Sequence, residues 1–224
     1  MDNDGYQCTR KYWNEIFSNV SEYDVTSAIE VPEIEAAINW ITDGNETILD
    51  YGCGRGRMLF RCIAKGVKKG YGIDISDKSI GFCTDIANKN NLNGKLNFIL
   101  GSIESLESIN ENSVDGVILG NILDNLIPED SLNLLNEVRR ILKPKGKILL
   151  IMNPYLAKKD LKEFHFKEIQ NEFYEDENGV FFWNLSDGRI EDIIMELFSV
   201  ERSFSIYMGQ QEVQRRVYFL RNEK

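Results

Sequence analysis

From residue 46 onward, short apolar runs alternate with longer segments in which apolar residues recur every three or four positions. The apolar runs predict five β-strands, at residues 47–50, 71–75, 95–100, 114–119 and 147–152. The longer segments predict helices between them, at about 58–63, 77–89 and 129–142. Strands that alternate with helices are typical of a parallel sheet covered by helices, so the chain is predicted to have an α/β fold.

The pattern becomes irregular after the fifth strand. Residues 154–189 show no clear period, mix acidic, basic and aromatic residues, and are longer than an ordinary connection, which predicts a lid or a small inserted subdomain. Residues 190–198 return to a helical period, and the runs 200–207 and 217–221 predict a closing pair of strands separated by a polar stretch. Residues 1–45 are predicted to form an N-terminal helical cap.

The composition agrees with one soluble domain, because 224 residues with 42% apolar and 28% charged residues can bury a substantial core. No apolar run approaches the roughly 20 residues that span a bilayer, and the first residues are acidic where a signal peptide would be basic. The four cysteines have neither metal-ligand nor disulfide spacing, so we interpret them as thiols in a reducing compartment. These features predict a cytoplasmic protein with no metal site.

The net charge of −10 disfavours two classes of partner. A protein that binds nucleic acid neutralises phosphates with Lys and Arg and usually carries a basic face. The cluster of Lys65, Lys68 and Lys69 is better explained as a solvated helix end. Anionic membranes are disfavoured by the same charge argument. We therefore expect neither nucleic acid nor a membrane as partner.

The run 50–56, Asp-Tyr-Gly-Cys-Gly-Arg-Gly, joins the first predicted strand to the first predicted helix. Glycine has no Cβ, so the backbone of such a turn can come very close to a ligand. The Asp50 carboxylate can accept hydrogen bonds from an ammonium or a hydroxyl group. Taken alone, the turn is equally typical of a tight connection; with Asp50 it predicts a ligand that carries positive charge.

The glycine spacing differs from that of a dinucleotide site. The dinucleotide fingerprint is Gly-x-Gly-x-x-Gly and leaves helix amides open to a pyrophosphate, whereas here the third glycine comes one residue early and Asp50 would repel phosphate. Asp74 ends the second predicted strand, where a carboxylate can accept from both hydroxyls of an adenosine ribose. Alone, Asp74 could be a helix cap or a solvated loop acid. Together, Asp50 and Asp74 indicate a ligand made of adenosine and an amino acid.

Three motifs, in this order and at this spacing, resemble the class I S-adenosylmethionine-dependent methyltransferases: residues 48–56, 71–76 and 142–147. The resemblance covers about half of the chain, roughly residues 46 to 153. It implies a Rossmann-like, doubly wound, seven-stranded sheet that is mostly parallel with an antiparallel last strand pair. It also implies a methyltransferase catalytic domain at residues 46–224, with S-adenosylmethionine as cofactor and S-adenosylhomocysteine as product.

The resemblance assigns the methionine and ribose contacts by position. The backbone at Gly52 and Gly54, on either side of the small Cys53, is expected to approach the methionine part of the cofactor. Asp50 is expected to bond nearby through its side chain or a water. Asp74 is expected to bind the ribose.

At the adenine end, the resemblance places Ile75 against one face of the ring. Ser102 stands where the family often has an acid that meets the adenine amino group; its oxygen can accept the same bond, and the Ile103 amide can donate to the ring. We expect Glu104 to be solvated. Asn121 follows the fourth strand, where it could orient a substrate, accept from the methionine ammonium through its backbone carbonyl, or cap a helix.

Three further features concern the methyl acceptor. Tyr12 and Trp13 lie in an aromatic N-terminal segment that could cover the methyl donor or its substrate, or pack on the sheet edge. His165 is the only histidine and a weak candidate for a catalytic base, although a lone histidine is more often a surface or packing residue. The run 153–155 resembles the Asn-Pro-Pro-Tyr motif of some base and glutamine methyltransferases, but it follows the fifth strand rather than the fourth, so we interpret it as a turn.

The sequence therefore predicts a cytoplasmic methyltransferase that transfers a methyl group by in-line displacement to a small-molecule acceptor. Two alternatives stay open: a protein or nucleic-acid methyltransferase, and a cofactor-binding module without turnover. A dehydrogenase is the least favoured reading. The acceptor atom, the base and the oligomeric state are left undetermined by the sequence.

Overall fold

The computed structural model describes residues 4–208 and 213–224. Residues 1–3 and the predicted polar stretch around Gly209 lie outside the described residues. The strands are β1 (Thr47–Tyr51), β2 (Lys69–Asp74), β3 (Leu96–Leu100), β4 (Val114–Gly120), β5 (Leu142–Met152), β6 (Lys167–Gln170), β7 (Phe173–Glu175), β8 (Phe181–Trp183), β9 (Phe198–Met208) and β10 (Val213–Asn222). The α-helices are α1 (Gln7–Ser18), α2 (Pro32–Thr42), α3 (Arg57–Ala64), α4 (Asp77–Lys89), α5 (Pro128–Ile141), α6 (Lys158–Glu163) and α7 (Asp187–Met195), and short 3₁₀ helices lie at Asp4–Tyr6, Ile103–Ser108 and Leu123–Asn125.

Among the described residues, the main sheet contains seven strands in the order β3-β2-β1-β4-β5-β10-β9. The first five strands of the chain pair in parallel, and β10 runs antiparallel to both β5 and β9. The predicted Rossmann-like sheet, with its antiparallel last pair, is confirmed. The predicted lid-like insertion at 154–189 contains α6 and a three-stranded antiparallel sheet of β6, β7 and β8.

The helix boundaries follow from local chemistry. α4 begins after Ser76, whose hydroxyl oxygen accepts the backbone N–H of Ser79 at 3.1 Å, which is a typical N-cap bond. α5 begins with Pro128, has acidic residues in its first turn, and has two arginines in its last turn, an arrangement that suits the helix dipole.

The start of β5 differs from the prediction. Pairing with β4 joins Val114 to Leu142 and then Gly116 to Lys147, so residues 143–146 bulge out of the ladder. Lys145 within this bulge has a φ of 62°, a turn conformation. The strand therefore begins at Leu142 rather than at 147, because its ladder resumes on the far side of the turn.

Side chains of the main sheet pack into two cores, one on each face. Leu49 and Tyr51 of β1 belong to the core under α5 and α7, whereas Ile48 points into the core under α2, α3 and α4. The same alternation divides Leu149 from Leu150 in β5. Because both faces are covered, the central strands are continuous apolar runs.

The predicted N-terminal cap, residues 1–45, separates into two parts. α2 packs in the core with α3 and α4, with Ile34, Ile38 and Ile41 buried, so this helix is part of the sheet covering. α1 lies at the carboxyl ends of the strands instead, with Trp13 and Phe17 on a cavity wall. Within the described ranges, no helix combines the length and the apolar character needed to cross a membrane.

A core substitution tests this packing. Leu149 is fully buried, so we expect Leu149→Ala to lower the free energy of unfolding by about 2–5 kcal/mol, the usual cost of removing a buried leucine side chain. Urea unfolding followed by circular dichroism measures the change. Leu132→Ala is the control, because Leu132 is 43% exposed on α5. Equal losses for the two variants would contradict the assigned core.

Candidate active site

A cavity of about 610 Å³ opens at the carboxyl ends of β1, β2 and β4. Its walls include Gly52 after β1, Asp74 at the end of β2 and Asn121 after β4. The order of strands along the sheet reverses between β1 and β4, and open α/β sheets bind ligands at such a switch point. The fold therefore places three of the predicted site residues around one cavity.

The glycine turn after β1 follows a left-handed path. Gly52 has a φ of 73° and Gly54 a φ of 50°, conformations that residues with a Cβ adopt at a cost. The backbone N–H groups of Gly52 and Cys53 both donate to the Ile73 carbonyl, at 2.8 and 3.0 Å. Because these amides are already bonded within the fold, the turn does not present them to a pyrophosphate, which argues against a dinucleotide site.

Asp74 fastens the glycine turn to β2. One carboxylate oxygen accepts the Gly54 N–H at 2.8 Å and the other accepts the Ser76 N–H at 2.9 Å. α4 holds the same turn from the other side, since the Ser79 hydroxyl and the Cys83 thiol both donate to the Gly54 carbonyl. Asp74 also lines the cavity, and a carboxylate has about four lone-pair sites, so it can still accept from ribose hydroxyls.

Asp50 lies beneath the turn, outside the residues that line the cavity. It is 1% exposed, and neither of its carboxylate oxygens has a hydrogen-bond partner in the part of the chain that the structure describes. Burial and, second, the negative charge of Asp74 together raise the pKa of Asp50 to about 7. A buried, unpartnered carboxylate next to a cavity is stabilised by a nearby cation, so the site suits a ligand with an ammonium or sulfonium group.

The part of the cavity after β2 and β3 contains the residues predicted to contact adenine. The cavity is lined by the three residues predicted to contact adenine, which are Ile75, Ser102 and Ile103. Glu104 lines it with them. The Ser102 hydroxyl donates to the Glu104 carboxylate, and this hydrogen bond lowers the pKa of Glu104. Glu104 is exposed to solvent, as expected, and the 3₁₀ turn after Ser102 also places it on the cavity wall.

Asn121 lines the cavity with a φ of 55°. Its N–H donates to the Ile151 carbonyl at 2.8 Å, and its own carbonyl accepts from the Asn125 side-chain amide at 2.6 Å. A carbonyl oxygen has two lone pairs, so it can accept a second hydrogen bond beside that from Asn125, and its role as acceptor of the ammonium stays a prediction. The side-chain oxygen of Asn121 is buried and has no hydrogen-bond partner among the described residues. The following 3₁₀ helix has no side-chain cap bond, so Asn121 does not cap it.

A second cavity of about 320 Å³ adjoins the first, and Trp13 and Asn125 line both. Tyr12 lines only the second cavity, so its predicted contact with the cofactor is corrected to a contact with the neighbouring space. Successive residues of a helix point in different directions, so Trp13 also reaches the first cavity whereas Tyr12 does not. The Trp13 ring stacks on Phe17 at 5.7 Å, and this pair forms the α1 side of the first cavity.

The second cavity draws its other walls from distant parts of the chain. Asn153 and Pro154, which the sequence analysis interpreted as a turn, lie in its wall at the end of β5. Phe181 and Phe182 come from β8 of the three-stranded sheet β6-β7-β8, here called the lid sheet, and Arg215 comes from β10. The carboxyl end of a parallel strand was a signal for the first pair, but no local pattern marks Arg215.

His165 lines neither cavity. It is exposed in the turn after α6, with a φ of 59° and its N–H donating to the Lys162 carbonyl at 3.1 Å. A base must reach the reacting group by hydrogen-bond distance or through one water, so His165 is corrected from a candidate base to a surface turn residue.

Asp124 is a buried acid that the sequence analysis missed. It is fully buried after β4, where one carboxylate oxygen accepts the Asn153 N–H at 2.8 Å and the other has no partner within the described chain. Burial raises the pKa of Asp124 above its ordinary value. Its hydrogen bond joins the end of β4 to the end of β5 beneath the second cavity.

The sheet order, the bonded glycine turn and the acid at the end of β2 define a class I S-adenosylmethionine-dependent methyltransferase architecture. Residues 42–214 match the model of a family described as a methyltransferase domain. The chain belongs to this family, and S-adenosylmethionine is the cofactor of its class.

Two solved structures have the same fold. A TM-score of 0.69 relates the chain to 1,6-didemethyltoxoflavin-N1-methyltransferase of Burkholderia thailandensis, solved with 1,6-didemethyltoxoflavin and S-adenosylhomocysteine, at 14% identity over 87% of this chain and 80% of that one. N-methyltransferase NodS of Bradyrhizobium japonicum, in complex with S-adenosylhomocysteine, has a TM-score of 0.69 at 12% identity over 97% and 100%. At these identities the likeness shows the fold alone.

Among curated proteins, the ribosomal protein L11 methyltransferase of Photobacterium profundum is 25% identical over 142 residues, which is 62% of this chain and 45% of that protein. The chain spans less than half the length of the curated relatives it matches.

The left-handed turn yields a test with a matched control. In Gly52→Ala, the new Cβ would lie 3.1 Å from the Ile122 side chain, on a backbone with positive φ. We expect a loss of about 1–2 kcal/mol of unfolding free energy and weaker binding of S-adenosylmethionine by calorimetry, because Ile122 would move into the cavity. In Gly81→Ala, at an exposed position of α4, the new Cβ would meet no atom within 4 Å, so this variant should leave binding unchanged. Unchanged binding in both variants would contradict the proposed cavity.

The raised pKa of Asp50 predicts a pH dependence. A cationic ligand favours the ionised carboxylate, so binding should lower this pKa from about 7 and release protons. The affinity for S-adenosylmethionine should therefore rise between about pH 5.5 and about pH 7.5 and then level off. Calorimetry in two buffers of different ionisation enthalpy measures the released protons. Asp50→Asn should abolish the release near pH 7; the same release in this variant would assign it to another group.

Proposed function

We propose that the protein transfers a methyl group from S-adenosylmethionine to a small-molecule acceptor, with the cofactor in the first cavity and the acceptor in the second. The observation that carries the proposal is the pair of shared wall residues, Trp13 and Asn125, which bring the two cavities together. The cofactor supplies an electrophilic methyl group on a sulfonium, which an aligned nucleophile displaces in line. The chain's own task is to bind, align and exclude water.

Alignment of the cofactor is assigned to three groups of residues. Asp74 is proposed to accept from the ribose hydroxyls, and Ser102 with Glu104 is proposed to face the adenine amino group. The unpartnered oxygens of Asp50 and Asn121 support a cationic methionine part next to the glycine turn. Asp74, Ser102 and Glu104 are acceptors on the cavity wall, whereas Asp50 is proposed to act from beneath the glycine turn.

Exclusion of water is assigned to α1, which is held in place by three hydrogen bonds from α1 and from the 3₁₀ helix that precedes it. The Tyr6 hydroxyl donates to the Asp130 carboxylate of α5 at 2.7 Å, and the Thr9 hydroxyl donates to the Gly179 carbonyl of the lid sheet region at 3.2 Å. The Asn14 side chain accepts from the Ser76 hydroxyl before α4 at 2.6 Å. A closed site strengthens electrostatic contacts and protects the methyl donor from hydrolysis.

The size and walls of the second cavity support a small acceptor. A volume of about 320 Å³ lies in the range of small-molecule pockets, and Phe181 and Phe182 of the lid sheet close one side of it. The net charge of −10 supports the absence of a nucleic-acid or membrane partner. Four free thiols support a cytoplasmic location.

A protein acceptor is the second candidate. The similarity to a ribosomal protein L11 methyltransferase favours it, because that relative is named for a protein substrate. The two candidates differ in the size of the methylated product, so one labelling experiment separates them.

That experiment uses S-adenosylmethionine with a labelled methyl group and a cell extract split into metabolite and protein fractions. We expect label in the metabolite fraction with the wild-type chain. In Asp74→Asn we expect the cofactor affinity to be at least about tenfold weaker, because charged hydrogen bonds to two ribose hydroxyls contribute about 1.5–3 kcal/mol each. Asp85→Asn, exposed on α4, is the control with the same charge change. Label only in protein would favour the second candidate, and no binding of the cofactor would refute both.

A further inference from the structure

Arg215 is the only cationic side chain among the described residues that line the second cavity. It is half-buried, and one guanidinium nitrogen donates to the Gln214 carbonyl at 3.0 Å. No carboxylate forms an ion pair with it in the portion of the chain covered by the structure, so most of its five N–H donors have no protein acceptor. Burial lowers the pKa of Arg215, but a guanidinium stays charged in proteins. The cavity wall therefore presents a guanidinium that forms no ion pair within the described residues.

Two acids in the surroundings of Arg215 have other partners. Asp176 lines the same cavity, but its carboxylate accepts backbone amides of its own turn, including that of Val180 at 2.9 Å. Asp124 attracts Arg215 electrostatically, yet it is fully buried and accepts from the Asn153 amide. Neither acid forms an ion pair with the guanidinium.

The adjacent arginine shows what a structural role looks like in this strand. Arg216 is 5% exposed and donates to the Asn153 carbonyl at 2.8 Å, to the Leu185 carbonyl at 2.7 Å and to the Asp187 carboxylate at 3.0 Å. These bonds join β10 to β5 and to the start of α7. Arg215 makes no comparable set of bonds, so the fold does not account for its charge.

The rest of the wall is largely aromatic. Tyr12, Phe166, Phe181 and Phe182 line the cavity, and the Phe166 and Phe182 rings lie 5.2 Å apart. Aromatic walls suit a planar apolar body, and a guanidinium binds carboxylate and phosphate groups through paired hydrogen bonds. The net charge of −10 repels anions in general, so an anionic ligand needs a local cation.

We infer that the methyl acceptor is a small, planar molecule with a carboxylate or phosphate group that pairs with Arg215. The inference rests on the proposed function, since it assigns the chemistry of the acceptor in the second cavity. Charge pairing at this position holds one end of the acceptor, and the aromatic walls hold its body beside Trp13, where the two cavities meet.

The test uses the protein saturated with S-adenosylhomocysteine and matched probes. Benzoate is compared with benzamide, and indole-3-acetate with indole-3-acetamide, by ligand-observed NMR titration; phenyl phosphate against phenol forms the phosphate arm. We expect at least one acid or phosphate to bind about tenfold more tightly than its uncharged partner, because a charge-assisted hydrogen bond contributes about 1.5–3 kcal/mol. The arm with the larger preference identifies the anionic group.

The variants isolate Arg215. Arg215→Gln should remove the preference for the anionic probe, and Arg215→Lys, which keeps the charge but loses the planar fork, should retain part of it. Arg139→Gln is the charge-matched control, because Arg139 is exposed on α5 and lines neither cavity. Thermal unfolding of each variant checks the fold.

The outcomes separate the two proposals. Equal binding of charged and uncharged probes, no binding of any anionic probe, or an unchanged preference in Arg215→Gln would overturn the inference and leave the proposed function intact. Failure of the wild-type chain to bind S-adenosylhomocysteine would count against the proposed function instead.

Discussion

The bond between the Asp74 carboxylate and the Gly54 amide determines the geometry of the whole site. It ties the end of β2 to the turn after β1, while the amides of Gly52 and Cys53 bond the carbonyl of Ile73 next to it. The turn can only follow this path because its glycines take positive φ angles. These bonds occupy the amides that a phosphate would need, while the Asp74 carboxylate keeps lone pairs that face the cavity. The bonded turn therefore favours a ligand with hydrogen-bond donors over a phosphate.

Two buried acids at the carboxyl ends of the strands impose an electrostatic condition on the fold. Asp50 and Asp74 repel each other, and burial makes the charged form of each unfavourable. Backbone amides stabilise Asp74, whereas Asp50 has no such partner among the described residues. The ligand-free protein therefore holds one acid ready for a positive charge, a cost in stability that a cationic ligand would offset.

The sequence predicts the core better than the second cavity, for a physical reason. α4 is predicted at its observed bounds because a local cap at Ser76 starts it, and the buried strands stand out as apolar runs. The lid strands β7 and β8 are three residues each, too short to show a period. The second cavity joins residues as distant as Tyr12 and Arg215, and no local signal predicts that contact. The start of β5 is missed because residues 143–146 leave the ladder.

The position of Trp13 has a further consequence. This one side chain is part of the wall of both cavities, and the helix that carries it is anchored to α5, to the lid sheet region and to α4. A displacement of α1 that uncovers one compartment must therefore disturb the other as well. In the proposed arrangement, the compartments of the methyl donor and of the acceptor would therefore open to solvent together.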